Sequence, residues 1–375
     1  MRPVDRAPKD VHVLHVVPGL GPGGMELTMG RVITSLAQAG IRHSIACLKG
    51  EADIADRLPA STDIHCFHSR PNEPQLPLRI ARLIRTVRPT VIHARNWGAW
   101  PDSAAGRLLA RPIVPLVFSF HGLGRAGYMP LRRRVASWFL SRMTTYLFTV
   151  SEQSKRMLVD KWGWPADRTN VIPNGVDIQR FCPSGNSNPR KQLIVGTVGN
   201  LRPVKNHAIL VRACADLVRR GMDLQLHIAG EGALRSDLTA LAESLGIGGR
   251  FQLVGLIEDV PKFLHGLDVF VLSSDSEQHP NALNEAMACG LSCVATEVGC
   301  VEELLDSGRC GIIVSPGDTA GLTAALADLL ADRKQRERLG ASARQRACDH
   351  YSSQRMVTAY EEMYRRLSLR TTKQP

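Results

Sequence analysis

Glu277 and Glu285 stand with seven residues between them in the stretch SSDSEQHPNALNEAMACGLSCVAT. Pro280 and Asn281 open a helical pattern that runs to Gly290, and proline near the first turn with glycine at the end is helix punctuation. Glu277 therefore precedes the helix, while Glu285 lies within it. Two carboxylates so placed can approach one ligand from a loop side and a helical side.

A second chemical signal opens the chain. In VHVLHVVPGLGPGGMELT, residues 19–24 read G-x-G-x-x-G directly after a strand-like run. In a dinucleotide fold these glycines allow a tight turn, close approach to a pyrophosphate and close helix packing. That fingerprint also needs a carboxylate about 20 positions on, at the end of the second strand, to hold ribose hydroxyls. Here HSIACL ends at Leu48, followed by Lys49 and Gly50, and Glu51 comes only after the turn. Pro22 also stiffens a turn that normally relies on free glycine backbone. What survives is narrower: Gly23 and Gly24 precede a helix whose N–H groups can face an anion, with Glu26 in its favourable first turn. A tight turn holding no ligand fits this stretch equally well.

His121, in FSFHGLGR, follows the apolar run VPLVFSF, at the end of a strand where open α/β sheets bind ligands. A lone histidine in such a place is otherwise a satisfied structural residue. Cys289, Cys293, Cys300 and Cys310 fall close together but lack the paired C-x2-C spacing of zinc sites. With nine cysteines scattered along the chain, reduced buried thiols are expected rather than a metal or a disulfide framework.

The elements that must position these residues alternate. VHVLHVV, HSIACL, TVIHA, IVPLVFSF and YLFTV in the first half, then LIVGTVG, LQLHIAG, RFQLVG, DVFVLSS, SCVATEV and GIIVS, are each followed by a helix-period segment. Alternation of this kind implies parallel sheets covered by helices on both faces, that is, two doubly wound Rossmann-like α/β domains. The 375-residue length suits two cores. The stretch FCPSGNSNPRKQ has linker composition, so the domains are expected to join near residues 182–191, with an N-terminal domain over 1–182 and a C-terminal domain over 183–351. The last segment, about 352–369, puts Met356, Tyr360, Met363, Tyr364 and Leu367 on one helical face. It can close the second domain or cross back onto the first.

The segment around Glu277 and Glu285 resembles the E-x7-E motif of retaining glycosyltransferases of family 4, whose fold is two Rossmann-like domains facing across a cleft. GPGGMEL is similar to the family's first loop, SFHGL to its acceptor-side histidine loop, VIPNGVD to the end of its first domain, and VGTVGNLRPVKNHAILVRA to its donor phosphate loop. VIHARNW and VGTVGNLRPVKN look like the branch associated with bacterial exopolysaccharide synthesis.

The resemblance implies a set of roles. Glu277 would bond hydroxyls of the donor sugar and Glu285 those of the nucleotide ribose. Backbone N–H groups around Pro280, Asn281, Ala282 and Leu283 would face sugar and phosphate. Gly199 and Asn200 belong to the donor phosphate loop, where Arg202 and Lys205 would neutralise the leaving diphosphate in place of a metal. The backbone from Val254 to Glu258 would contact the base, His121 would line the cleft beside the reacting carbon, and Gly23 and Gly24 would close onto donor or acceptor. A purely structural account makes Arg202 and Lys205 a solvated pair after a strand. Many relatives carry Gly-Phe where this chain has Gln278 and His279, next to the sugar.

Charge adds a partner. Residues 1–180 hold 25 Lys and Arg against 13 Asp and Glu, whereas residues 181–375 hold 22 of each, so the whole excess of +12 lies in the first half. Such a field attracts anionic lipid, nucleic acid or a phosphorylated substrate; no zinc-finger or RNA-binding signature accompanies it, so nucleic acid is not expected. In PLRRRVASWFLSRMTTYLF, Arg132 to Arg134 precede Val135, Trp138, Phe139 and Met143 at helical spacing, which suits an interfacial helix on an anionic membrane. A domain helix packing its stripe on the sheet fits the same pattern. No apolar stretch approaches the ~18 residues of a membrane span.

The expectation is a cytoplasmic hexosyltransferase, held peripherally on the inner leaflet, that needs no cofactor. It would pass a sugar from a nucleotide diphosphate to a glycan or lipid-linked acceptor in exopolysaccharide or cell-envelope polysaccharide synthesis. Rivals are a nucleotide-sugar 2-epimerase, which needs further acid–base residues, and a nicotinamide oxidoreductase, which needs the missing ribose carboxylate.

Overall fold

The computed structural model of the chain describes residues 10–21, 23–50, 52–70, 73–122, 130–184 and 192–371. Pro22, the 123–125 end of the histidine loop and residues 185–191 of the linker stretch lie outside the described residues. The chain forms two compact units, one of residues 1–173 with 355–375 and one of 174–354.

The first unit is built on a seven-stranded parallel sheet in the order β3-β2-β1-β4-β5-β6-β7. Its strands are β1 (His12–Val17), β2 (Arg42–Cys47), β3 (Asp63–Cys66), β4 (Val91–Arg95), β5 (Leu116–Phe120), β6 (Tyr146–Thr149) and β7 (Thr169–Val171). Helices α1 (Gly24–Gln38), α2 (Leu76–Val87), α3 (Trp100–Ala110), α4 (Leu131–Met143) and α5 (Glu152–Arg156) make the connections. Because successive strand residues face opposite ways, β4 sends Ile92 and Ala94 into a core with Leu14, Trp100 and Phe118, and Val91 into a second core on the other face. That second core is closed by α13 (Ser353–Thr371), whose Met356, Tyr360, Met363, Tyr364 and Leu367 are buried against Val13, Val32 and Phe148. The last helix thus belongs to the first unit.

The second unit repeats the plan with six parallel strands in the order β10-β9-β8-β11-β12-β13. These are β8 (Leu193–Val198), β9 (Leu224–Ala229), β10 (Phe251–Gly255), β11 (Val269–Leu272), β12 (Ser292–Thr296) and β13 (Ile312–Val314). Around them lie α6 (His207–Arg219), α7 (Arg235–Ser244), α8 (Val260–Leu264), α9 (Asn281–Ala288), α10 (Val301–Leu304), α11 (Thr319–Ala331) and α12 (Arg333–His350). The division between units falls at Pro173 and Asn174, ahead of the 182–191 stretch that composition marks. Val176 bridges Ser352, and Phe181, the first residue of FCPSGNSNPRKQ, is buried with Phe270 and Leu283, so the chain has joined the second core before residue 182.

One helix departs from ordinary burial. On α4 the buried residues are Ser137 and Ser141, while Leu131, Val135, Trp138, Phe139 and Met143 are exposed. Its apolar stripe does not pack on the sheet. Among the described residues no helix is long and apolar enough to cross a membrane.

Candidate active site

In both sheets every strand is parallel, so all carboxyl ends lie on one edge, where loops can converge on a ligand. In the second unit, β8 ends at Val198 and runs through Gly199 and Asn200 into a 3-10 turn over Pro203–Lys205. Asn206 takes a left-handed conformation (φ 44°) and starts α6. The loop is pinned from three sides. The Gly199 N–H donates to Ala229 O (2.9 Å) and the Leu201 N–H to Glu231 O (2.9 Å). Ser273 Oγ donates to Lys205 O (3.0 Å), and Asn206 Nδ2 donates to Asp275 Oδ1 (2.8 Å).

This pinning brings Lys205 to Glu277. Their side chains form a partly buried ion pair, Lys205 Nζ to Glu277 Oε1, and Ser274 Oγ donates to the same carboxylate oxygen (3.0 Å). Ser274 is held in turn by Thr296 Oγ1, which donates to its carbonyl (2.6 Å). Behind Glu277 runs Gly299 at φ 53°; a Cβ there would lie 2.3 Å from Glu277 O and 2.8 Å from Gln278 O. Arg202 is exposed on the same loop.

Pro280 caps α9 with no side-chain acceptor, so the positive end of the helix dipole at Asn281, Ala282 and Leu283 is not neutralised by a capping side chain. Leu283 itself is buried in the core with Ala286 and Met287, and Glu285 lies on the partly exposed side of the helix. Asn174, from VIPNGVD, donates through Nδ2 to Asn281 Oδ1 (3.1 Å) and accepts at its carbonyl from Asn284 Nδ2 (3.2 Å). Val254 is the penultimate residue of β10, and Glu258 is exposed beyond it, its carbonyl accepting from Arg180 Nη2 (3.4 Å). His279 is buried, its ring 5.7 Å from that of Tyr351, and burial lowers its pKa to about 4.

Sequence reading passed over Ser274, Thr296, Asn174, Gly299 and His207. The His207 ring lies under the 199–205 loop, since a Cβ on Gly199 would sit 3.7 Å from its Cε1. Burial lowers the His207 pKa to about 4. Ser274 and Thr296 lie in the Glu277–Glu285 stretch, Asn174 in VIPNGVD and His207 in VGTVGNLRPVKNHAILVRA, but only packing shows what each one holds.

In the first unit, Gly23 is the N-cap of α1 and Gly24 its first residue. A Cβ on Gly23 would lie 2.3 Å from Glu26 Oε2, whereas Gly19 has nothing within 4 Å and Gly21 only Asp53 Oδ2 at 3.9 Å. The Glu26 carboxylate can swing away, and Gly23 has φ −85°, so no backbone contact requires glycine at position 23. Burial raises the Glu26 pKa. His121, just past β5, is fixed at both ends: its N–H donates to Asn96 Oδ1 (3.0 Å), and its Nε2 meets Ser119 Oγ (3.0 Å). Asn96 (φ 59°) also donates to Met25 Sδ (3.1 Å), tying this loop to α1.

Ser119 Oγ also meets His93 Nε2 (2.9 Å), and His93 Nδ1 meets Tyr364 OH (2.7 Å). Ser119 has one hydroxyl hydrogen and two lone pairs, so at most one of the two Nε2 atoms accepts from it, and at least one imidazole donates to it. Burial, and then the Arg95 guanidinium, lower the His121 pKa to about 3. Arg95 itself was not singled out by sequence: it is 1% exposed, its Nη1 is 3.4 Å from Tyr360 OH, and its Nε and Nη2 have no hydrogen-bond partner among the described residues.

The four neighbouring cysteines are all buried in the core of the second unit. Burial raises each thiol, Cys289 to about 12, and among the described residues no cluster of His, Cys, Asp and Glu could hold a metal ion.

Comparison with known proteins also gives two halves, divided at residues 180–182, a few positions after the division between the two compact units. Residues 22–180 match the model described as Glycosyltransferase Family 4, and residues 182–346 match that of Glycosyl transferases group 1. A Bacillus subtilis (strain 168) protein named as a glycosyltransferase, EpsF, is 25% identical over 79% of this chain and 81% of its own length. The D-inositol 3-phosphate glycosyltransferase of Nocardia farcinica (strain IFM 10152) is 28% identical over 90% and 85%. The crystal structure of Anabaena HepE in complex with UDP superposes with a TM-score of 0.82 at 20% identity, covering 94% of this chain and 99% of that one. Matched by these two models along almost its whole length and folded as two doubly wound units, the chain belongs to glycosyltransferase family 4 and is a glycosyltransferase of the GT-B fold.

Proposed function

We propose that the chain moves a hexose, with retention and without a metal, from a nucleotide-diphosphate sugar to a glycan or lipid-linked glycan in exopolysaccharide or cell-envelope polysaccharide synthesis. The observation that carries this reading is the Lys205–Glu277–Ser274 cluster beside the uncapped start of α9. A carboxylate that accepts from a lysine and a serine is held to receive a sugar hydroxyl. Lys205 and Arg202 place positive charge on the loop where charge develops on a departing diphosphate, as electrostatic catalysis requires. Glu285, on α9, takes the ribose hydroxyls, and Val254 to Glu258 meet the base. His121, kept neutral, offers a hydrogen bond to a sugar hydroxyl. No protein side chain is needed as the base if the leaving phosphate takes the acceptor proton; a sugar trapped covalently on the protein would contradict that step.

HepE is named with UDP, and the Nocardia relative with a phosphorylated acceptor, which supports a nucleotide sugar and an acceptor that carries charge. The test is a thermal-shift screen of nucleotide sugars, because a ligand that binds only the folded state raises its melting temperature. One nucleotide sugar should stand out, and its nucleoside diphosphate should appear in quantity only with acceptor present. A screen without any stabilising nucleotide sugar refutes the reading.

Peripheral attachment to the inner leaflet rests on α4, which exposes Leu131 (68%) and Phe139 (58%) next to three consecutive arginines. Co-sedimentation with anionic vesicles at low salt should be lost in Leu131→Ser with Phe139→Ser; a wild-type chain that ignores such vesicles removes this part of the proposal.

A further inference from the structure

The carboxyl edge of the first sheet holds Gly24, Arg95 and His121; the opposite edge, where the strands begin, carries a different feature. There Arg107 of α3, Arg142 at the end of α4, Arg168 just before β7 and Arg366 of α13 line one cavity of about 590 Å³. Asp167 is the single carboxylate on its wall, 3.8 Å from Arg168 Nε. Thr144, Thr145, Tyr146 and Asn170 complete the polar lining.

Three of the four guanidinium groups are held by backbone oxygens. Arg107 donates through Nε to Val114 O (2.6 Å) and through Nη1 to Met143 O (2.9 Å). Arg142 donates to Trp138 O (2.9 Å) and Gly163 O (3.2 Å) while stacking on the Trp138 ring at 3.6 Å. Arg168 donates to Arg142 O (3.2 Å), and Arg366 lies over the Tyr146 ring at 5.3 Å. Every arginine so used keeps N–H groups to spare, since each carries five. Like charges drawn around one cavity repel unless an anion joins them. Burial also pulls the Arg107 pKa below the usual arginine range, a cost that a bound anion relieves.

We propose that this cavity binds a phosphate-bearing anion, separate from the donor and acceptor sites. Its volume suits a small polar ligand, and planar guanidinium forks match phosphate oxygens in pairs. The phosphate belongs either to a soluble ion or to a lipid headgroup. Met143 lines the cavity and is itself exposed on α4, and Arg142 is stacked on Trp138 of the same helix, so a headgroup seated here would have its chains against the apolar face of α4.

The test compares the full chain with Arg168→Gln plus Arg366→Gln, two exposed positions. Soluble probes, inorganic phosphate and then pyrophosphate, are titrated calorimetrically with both proteins in a Lys205→Gln background, so that the donor loop does not contribute. The lipid arm is co-sedimentation with phosphatidylcholine vesicles with and without phosphatidic acid. Affinity for at least one phosphate probe should fall roughly tenfold or more in the double variant. In a Lys205 background, melting temperature and nucleoside diphosphate release should be unchanged by the double substitution. Loss of binding to the soluble ions identifies a soluble phosphate; loss confined to phosphatidic acid vesicles identifies a headgroup. A chain that binds none of the probes, or a double variant that binds them as the parent does, overturns the proposal. Because turnover is read separately, that failure leaves the transferase reading standing.

Discussion

Gly230→Ala should displace the 199–205 loop, which carries Arg202 and Lys205, without touching a single side chain of the proposed site. Gly230 follows β9 at φ 153°, and a Cβ there would lie 2.0 Å from Gly199 O and 2.8 Å from Gly199 C. Real contacts of this kind stay beyond 3.0 Å, so the carbonyl must retreat by about 1 Å. Gly199 cannot swing freely, because its own N–H is bonded to Ala229 O, one residue before the substitution. The displacement therefore passes along the loop towards Arg202 and Lys205. A misplacement of about 1 Å costs on the order of 10²-fold in rate, or roughly 3 kcal/mol of transition-state stabilisation. The backbone strain of alanine at positive φ adds about 1–2 kcal/mol to the loss of folding stability. Gly221→Ala provides the control: its φ is 89°, yet nothing lies within 4 Å of the added carbon, so it carries strain without displacement. The assay is nucleoside diphosphate release with the donor found by the thermal screen, alongside melting temperature. Turnover in Gly230→Ala within about threefold of Gly221→Ala would refute the claim that this loop must be placed so closely.

Lys205→Ala should lower turnover by about 10²- to 10³-fold while moving the melting temperature little, because its ion pair with Glu277 is partly solvated; unchanged turnover removes it from the site. Glu285→Ala should weaken binding of the nucleoside diphosphate, and calorimetry showing equal affinity would exclude the ribose role. Ser119→Ala strips a partner from both His93 and His121, and should cost about 1–3 kcal/mol in urea unfolding; an unshifted midpoint would mean the shared hydroxyl carries no stability. The buried histidines also set an acid limit. His43 is pushed down to about 3, and His207 and His279 to about 4, chiefly by burial, so each stays neutral in the folded chain while its unfolded counterpart takes up a proton below about 6.5. Stability is therefore full above neutrality and falls as pH drops from about 6.5 towards 4, by about 2 kcal/mol per histidine at pH 5. A melting temperature that stays level between pH 7 and 5 contradicts this.

The strands that form the middle of each sheet were legible because buried parallel strands read as continuous apolar runs. The two that sequence reading passed over, β3 and β7, are the outer strands of the first sheet, and DIHC and TNV carry no such run. Composition placed the domain join at a polar stretch, whereas the chain changes core where Val176 meets Ser352, a pairing between residues 176 apart in sequence and invisible to any local window. At the site, Lys205 and Glu277 could be named from their motifs, yet their contact depends on the turn over Pro203–Lys205 and on Gly299 behind the Glu277 backbone. The α4 stripe shows the reverse case: periodicity alone allowed either a buried or an exposed face, and only packing distinguishes them.

Arg95 lies within VIHARNW, yet no role attached to it from sequence, and it gives the sharpest remaining test. On β4, Val91, His93 and Arg95 face the core closed by α13, and a strand serving stability alone would place apolar residues at all three positions. Instead His15, His43 and His93 stack in a buried layer, each with its pKa lowered, and a guanidinium with two nitrogens unpartnered among the described residues lies at its end. The layer ends at His121 through Ser119, on the ligand-binding edge. Its effect on His121 has a definite sign: burial and then the Arg95 charge both oppose protonation, so the ring remains a neutral hydrogen-bonding group at every pH above about 4. In Arg95→Met the positive charge is gone but burial remains. The His121 pKa should then rise from about 3 while staying below the ordinary histidine value of about 6.5. Titration of the ring followed by NMR reads this directly, and the acid limb of the kcat profile should move upward with it. If the ring titrates as it does in the wild type, Arg95 does not act on His121, and the buried layer is a structural element without influence on the site.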